Sequence, residues 1–281
     1  MGVLSFQSQV AYGHVGNAAA VFCLQRLGIE AWPVATVSFS NHPGHGRWRG
    51  RVVPAGEVAE LVAGIEALGA FARCRAVLTG YLGSAETGRV VLDAVARVKA
   101  GSPGALYCCD PVMGDDAEGA YVAEPVAAFL EGAALAAADI VLPNAFELGR
   151  LAHRPVARLD DALAAARLLL AAGPRLVVAT SVPVPDRDEL TVVAVGKAEA
   201  WQVTTPRLPL AAKGAGDAFA ALFLGFWLAR PSPREALERA VAATYGLVAA
   251  TSASGGDELA LVEAQNLITR PPRRFRARRI G

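Results

Sequence analysis

The sequence predicts an α/β fold in which a mainly parallel sheet carries helices on both faces, in three layers and a single domain. Short β-rich apolar runs alternate with longer Ala- and Leu-rich stretches of helical period, the pattern of repeated βαβ units. Several short runs are apolar on successive residues, as strands covered on both sides are. The 281 residues are 53% hydrophobic and 19% charged, enough to bury a large core. No Pro- or Ser-rich linker and no internal repeat divides them.

Taken in order, strands are expected at 3–6, 32–37, 76–80, 105–109, 140–142, 176–179 and 190–195. Helices are expected at 17–27, where Gly28 stops the run, and at 56–68, 84–99 and 160–172. The C-terminal third reads as nearly all helix, at 215–229, 233–251 and 259–268. One stretch breaks the alternation. Between residues 38 and 50 the sequence SNHPGHGRWRG sets His, Arg, Gly and Trp between a strand and a helix. A long polar loop there suggests a flap, 38–53, over a functional site, and an edge hairpin sealing a subunit interface is the other reading.

Composition excludes several classes. A formal net charge of +1 gives no global basic field for nucleic acid or a membrane surface. Positive charge gathers in the segment 269–281, which holds Arg270, Arg273, Arg274, Arg276, Arg278 and Arg279. That tail is expected to be solvated and frayed, although RNA, lipid or an acidic partner face could engage it. The four cysteines, two of them adjacent at Cys108 and Cys109, form no disulfide framework and no CxxC zinc or redox spacing, which suits reduced thiols in the cytoplasm. Residues 1–10 do not resemble a signal peptide, and the longest apolar run, 218–229, is too short for a bilayer span.

Three motifs carry chemistry. In Lys213-Gly214-Ala215-Gly216-Asp217 small residues and an acid open a strongly apolar helix. Backbone N–H groups can converge there on an anion, aided by the helix dipole, and Asp217 can serve as the base for an attacking alcohol. A capping aspartate after a glycine turn is the simpler alternative. In Pro143-Asn144-Ala145-Phe146-Glu147 a strand enters a helix with Asn144 and Glu147 on one side. The pair could hold Mg²⁺ through water beside phosphates, or form a capping box. In Cys109-Asp110-Pro111-Val112-Met113-Gly114-Asp115 the acids follow a strand, where ligands bind in open α/β sheets; turn aspartates would look the same. Convergence of all three in one crevice points to a phosphotransferase. GxxxxGK[ST] and GxGxxG are both absent, which excludes P-loop and Rossmann nucleotide sites.

These residues, with Phe6-Gln7-Ser8-Gln9-Val10, Gly13-His14-Val15-Gly16-Asn17, Phe39-Ser40-Asn41-His42 and Leu78-Thr79-Gly80-Tyr81, resemble the pyridoxal kinases of the ribokinase superfamily in order and spacing, from Leu4 to about Ile268. The resemblance implies a ribokinase-like α/β/α domain over 1–281 that phosphorylates the 5′-hydroxymethyl group of pyridoxal from ATP. By the same resemblance Asp217 is the catalytic base and Gly214, Ala215 and Gly216 complete the anion hole. Ser8 meets the pyridine, with Val15, Phe39, Pro43, Gly44 and Tyr81 around the substrate. Asp110, Tyr121, Leu142, Asn144, Glu147, Thr180 and Ser181 lie toward ATP. Asp110 and Glu147 face Mg²⁺, and Asp115 faces a monovalent cation such as K⁺. A homodimer is implied, with no nucleic-acid or membrane partner.

Three positions depart from the family pattern. Pro43 replaces a threonine that contacts the ring, Thr180-Ser181 stands where bacterial relatives often carry lysine, and GAGD replaces GTGD or GVGD. A hydroxymethylpyrimidine kinase and a B6-vitamer binder with little turnover are the competing readings.

Overall fold

The computed structural model describes residues 2–210 and 212–280. The chain runs β1 (Gly2–Val10), α1 (Asn17–Arg26), β2 (Glu30–Phe39), β3 (Gly50–Val52), α2 (Ala55–Ala67), β4 (Cys74–Thr79), α3 (Ala85–Gly101) and β5 (Leu106–Cys109). A small hairpin of β6 (Gly114–Asp115) and β7 (Gly119–Ala120) follows, then α4 (Glu124–Phe129), α5 (Leu135–Ala137), β8 (Ile140–Val141), α6 (Ala145–Leu151) and α7 (Leu159–Ala172). The last part holds β9 (Leu176–Pro183), β10 (Glu189–Gly196), β11 (Ala200–Pro206), α8 (Ala215–Ala229), α9 (Pro233–Ser254), α10 (Asn266–Thr269) and β12 (Arg278–Arg279).

Ten strands form one sheet in the order β12-β11-β10-β9-β8-β5-β4-β1-β2-β3. The six strands from β9 to β2 pair in parallel, and β10, β11, β12 and β3 close the edges antiparallel. Side chains alternate between two cores, which is why the strands read as continuous apolar runs. Leu4, Phe6, Tyr107, Cys109, Val177 and Ala179 face the layer of α2–α7, whereas Val3, Leu106, Cys108, Leu176 and Val178 face α1, α8 and α9. Helix ends follow their local chemistry. Ser84 and Ser232 cap α3 and α9 by accepting the Thr87 and Glu235 N–H groups, and Gly255 in the left-handed region stops α9. Helix α8, apolar on nearly every side, lies buried between α1 and α9.

The structure corrects the sequence reading in three places. The expected helix at 259–268 is mostly turns, with α10 supplying its last residues, because Leu259 and Leu261 plug the α8–α9 core from an irregular segment. β11 and the small hairpin β6–β7 were not anticipated. The arginine tail is not frayed: β12 pairs with β11, the Ile280 N–H donates to Ala200 O at 2.9 Å, and Arg273 lies over Phe275 and Tyr245 at 5.1 and 5.6 Å. Gly281, also within the expected tail, lies outside the described residues.

The tail therefore acts as an edge cover at the end of the sheet opposite β3. Deleting residues 270–281 is expected to lower the melting temperature by about 2–4 °C for each kcal/mol lost while leaving kcat and KM within twofold, as thermal denaturation beside steady-state assays will show.

Candidate active site

The sheet order reverses at β1, whose chain neighbour β2 lies on one side and whose later neighbour β4 lies on the other. Such a switch point opens a crevice beyond the carboxyl ends of the strands. The motif residues follow those ends: Ser8 on β1, Phe39 on β2, Tyr81 after β4, Asp110 after β5, Asn144 after β8 and Thr180 on β9. At the crevice β1 is irregular, its register shifting between Gln7 and Gln9 around Ser8. Asn17 anchors this end of β1. It accepts from Ser5 Oγ at 2.8 Å and donates to the Gln7 and Val34 carbonyls at 3.3 and 3.2 Å.

Asp217 sits in the first turn of α8, behind Gly214 at φ +83°. A side chain at Gly214 would collide with the His14 carbonyl, so only glycine lets the two loops meet. The Gly16 N–H donates to Asp217 Oδ2 at 2.8 Å. Burial pushes the Asp217 carboxyl up to about 6, against the lowering effect of that hydrogen bond. The helix leaves first-turn N–H groups, as an anion hole requires. The Ala215 N–H, however, is already used on Ala212 O at 3.2 Å, so Gly216 and Asp217 are the first-turn donors left without a carbonyl among the described residues.

Asn144 and Glu147 form a complete capping box, each donating its N–H to the other's side chain at 2.9 Å. Glu147 Oε1 also accepts from the Met113 N–H at 2.9 Å and, more weakly, the Gly114 N–H at 3.5 Å. Its first task is thus to tie α6 to the segment after β5. Asp115 Oδ1 likewise closes the β6–β7 turn on the N–H groups of Ala117 and Glu118 at 2.9 and 2.7 Å. Among the described residues no three His, Cys, Asp or Glu side chains gather as a ligand set. Asp110 differs from the other two. It is 8% exposed, no side-chain hydrogen bond reaches its carboxylate among the described residues, and burial followed by the Glu147 and Asp217 charges pushes it well up. A cation between these acids would relieve that crowding, so the donor set fits Mg²⁺ held jointly with phosphate oxygens.

Tyr121 faces the same acids, and burial followed by Glu147 and Asp110 pushes its hydroxyl up. Thr180 bridges to Asn144 and donates its N–H to Pro143 O at 2.9 Å, and Ser181 is exposed beside it at φ +57°. Leu142 is 4% exposed, and its side chain belongs to the α8 core instead of the crevice surface. Of the residues expected around the substrate, Val15 is buried, Tyr81 is half-buried, and Phe39 packs on Trp48 with centroids 4.2 Å apart. The segment expected as a flap forms the β2–β3 hairpin at the sheet edge. Its tip bears Pro43 and Gly44 in a 3₁₀ turn, where His42 Nδ1 accepts the Gly44 N–H at 3.0 Å. The reading of motifs did not find Glu258, which meets both this tip and His14. No local pattern marks it, because its partners lie 244 and 213 positions away.

A partly buried carboxylate at the head of a glycine-capped helix, over a crevice of acidic strand ends, defines a small-molecule phosphotransferase on the ribokinase-like scaffold. Residues 53–260 match the family model described as phosphomethylpyrimidine kinase. The chain is 48% identical over 284 residues to pyridoxal kinase PdxY of Rubrobacter xylanophilus, covering 100% of this chain and 98% of that protein. It is 47% identical to pyridoxal kinase PdxY of Leifsonia xyli, with both chains fully covered. Pyridoxal kinase from Leishmania donovani, in complex with ADP and pyridoxamine, shares the fold at a TM-score of 0.94 and 29% identity, covering 100% of this chain and 99% of that one. The chain belongs to the pyridoxal kinase family.

The raised carboxyl of Asp217 gives a pH signature. A base must be deprotonated, so kcat/KM is expected to hold steady above pH 7 and to fall about tenfold per pH unit below about 6. A profile flat down to the ordinary aspartate range would remove Asp217 from that role.

Proposed function

We propose that the chain transfers the γ-phosphoryl group of ATP to the 5′-hydroxymethyl oxygen of pyridoxal, giving pyridoxal 5′-phosphate and ADP in vitamin B6 salvage. The observation that carries the reading is Asp217, held by the Gly16 N–H at the head of α8 and raised to about 6. Near neutral pH it is ionised and takes the proton of the hydroxymethyl group as the oxygen attacks phosphorus in line. The N–H groups of Gly216 and Asp217, with the helix dipole, stabilise charge on the transferred group. Asp110, with Glu147 behind it, would hold the Mg²⁺ that arrives with ATP, and Asp115 a monovalent cation; the divalent ion supplies charge neutralisation at the phosphates.

Ser8, Val15, Phe39 and Tyr81 form the ring pocket in this reading, and Asn144, Tyr121, Thr180 and Ser181 border the nucleotide. The flap covers the substrate and keeps water from the phosphoryl group. We take the working protein to be a cytoplasmic homodimer. No helix among the described residues is long and apolar enough to cross a membrane. A second substrate has specific support. The family model carries the phosphomethylpyrimidine kinase name, and a neighbour from Bacteroides thetaiotaomicron named for that activity was crystallised with pyridoxal, at 26% identity and a TM-score of 0.89.

Coupled ADP release across pyridoxal, pyridoxine, pyridoxamine and hydroxymethylpyrimidine tests the substrate, with pyridoxal expected to give the highest kcat/KM among the ring types. A higher value for hydroxymethylpyrimidine would reverse the assignment. Binding of pyridoxal without single-turnover ADP formation would make the chain a vitamer binder.

Pro43 tests the flap's part in recognition. Proline lacks the hydroxyl that threonine would offer the ring, a hydrogen bond of roughly 0.5–1.5 kcal/mol or about threefold to tenfold in affinity. Pro43→Thr is expected to lower KM for pyridoxal by that factor with kcat nearly unchanged. An unchanged KM, or an equal gain for hydroxymethylpyrimidine, would show that the tip does not read the pyridoxal ring.

A further inference from the structure

The segment after α9 brings a carboxylate to the meeting point of three other parts of the chain. Lys213, directly before the glycine loop, pairs in strand fashion with Glu258, and its N–H donates to Asp257 O at 3.3 Å. This fixes the Glu258 backbone beside the head of α8. Its side chain, 15% exposed, then divides its two oxygens. Oε2 accepts the His14 N–H at 2.8 Å, and Oε1 meets His45 Nε2 on the flap tip at 2.6 Å. The carboxylate also occupies the space where a side chain on Gly13 would stand, so residue 13 must be glycine for the loop to close on it. Asp257, by contrast, is 62% exposed and touches Lys213 Nζ and His45 Nδ1 at 3.4 and 3.6 Å. It adds a screened surface contact.

The loop held by Glu258 is the loop that orients Asp217. His14 lies against Gly214, and two residues later the Gly16 N–H reaches Asp217 Oδ2. At the flap tip the other polar contacts are largely internal. Asn41 Nδ2 donates to Arg47 O, His42 Nδ1 accepts from the Gly44 N–H, and Phe39 packs on Trp48. His45 carries the tip's hydrogen bonds to the body of the protein, its Nδ1 also lying 3.5 Å from Lys213 Nζ, which approaches Gly44 as well. A carboxylate suits this double duty, since its two oxygens accept from two directions at once.

We propose that Glu258 is a positioning residue for phosphoryl transfer, coupling closure of the flap through His45 to the placement of Asp217 through the 13–16 loop. The proposal rests on the pyridoxal phosphotransfer reading above. One arm holds the cover and the other holds the base. Removing the first changes substrate retention, and removing both also changes the chemical step.

The experiment compares purified wild type, His45→Ala, Glu258→Ala, Glu258→Gln and the double variant His45→Ala/Glu258→Ala with pyridoxal and ATP. His45→Ala is expected to raise KM for pyridoxal about threefold to tenfold, as for one lost hydrogen bond, with kcat within twofold. Glu258→Ala is expected to raise KM equally and to lower kcat about tenfold to a hundredfold, the scale of a misplaced reacting group. Glu258→Gln keeps an acceptor for the His14 N–H and a donor for the His45 ring, so it is expected to recover most of kcat. The double variant should match Glu258→Ala, because the flap arm is already gone. Independent of turnover, hydrogen exchange at residues 42–49 should quicken in His45→Ala and Glu258→Ala alike. A kcat for Glu258→Ala within twofold of wild type, or KM effects that multiply in the double variant, would overturn the proposal. If Glu258→Ala does not fold, unchanged KM and unchanged exchange in His45→Ala would overturn it. A wild type inactive on pyridoxal would refute the functional reading instead, and exchange at 42–49 would then decide the clamp alone.

Discussion

The Gly16 N–H and the Asp217 carboxylate are 201 positions apart in sequence and 2.8 Å apart in space. Their hydrogen bond joins the two halves of the molecule. Gly16 belongs to the loop between β1 and α1, at the strand where the sheet order reverses, and Asp217 to the buried helix α8. The close approach has conditions on both sides. Gly214 must lack a side chain to clear His14, and Asn17 must hold the end of β1 through its three hydrogen bonds. Two hydrophobic cores fix the sheet and α8 rigidly enough for this contact to be repeatable.

Charge sets the second constraint. Asp110, Glu147 and Asp217 share one end of the sheet; burial raises all three, the Glu147 and Asp217 charges add to it at Asp110, and the Asp115 charge adds to it at Glu147. The fold answers this crowding unequally. Glu147 receives backbone N–H groups from Asn144, Met113 and Gly114, Asp217 receives one from Gly16, and Asp110 receives none among the described residues. The least satisfied carboxylate is thus the one best placed to gain from a cation, and the partly satisfied one keeps a pKa suited to a base near neutral pH.

Much of this was legible in the sequence, for identifiable reasons. The parallel strands showed themselves because both faces are buried, and α8 because a glycine turn precedes an apolar run, so its bounds of 215–229 were read correctly. β11 escaped because its polar residues Gln202, Thr204 and Thr205 interrupt a strand near the sheet's end that local pattern cannot tell from a loop. The 259–268 segment misled because its Ala, Leu and Glu residues are good helix formers, whereas Leu259 and Leu261 act as core plugs from an irregular stretch. At the site, Asn144 and Glu147 were seen as a pair, and geometry was needed to show that the capping box is formed. His45 lay in the flagged 38–50 loop, but Glu258 had no local signal, since the contact between them spans 213 positions.

Whether Asp217 removes the proton during phosphoryl transfer is decided by a single-turnover rapid-quench measurement on Asp217→Asn. With pyridoxal and ATP bound, the variant is expected to keep the fold and both affinities within about threefold while transferring the phosphoryl group about 100-fold to 10,000-fold more slowly, the usual contribution of a general base. Transfer within tenfold of the wild-type rate by a folded, substrate-bound variant would show that Asp217 is not the base.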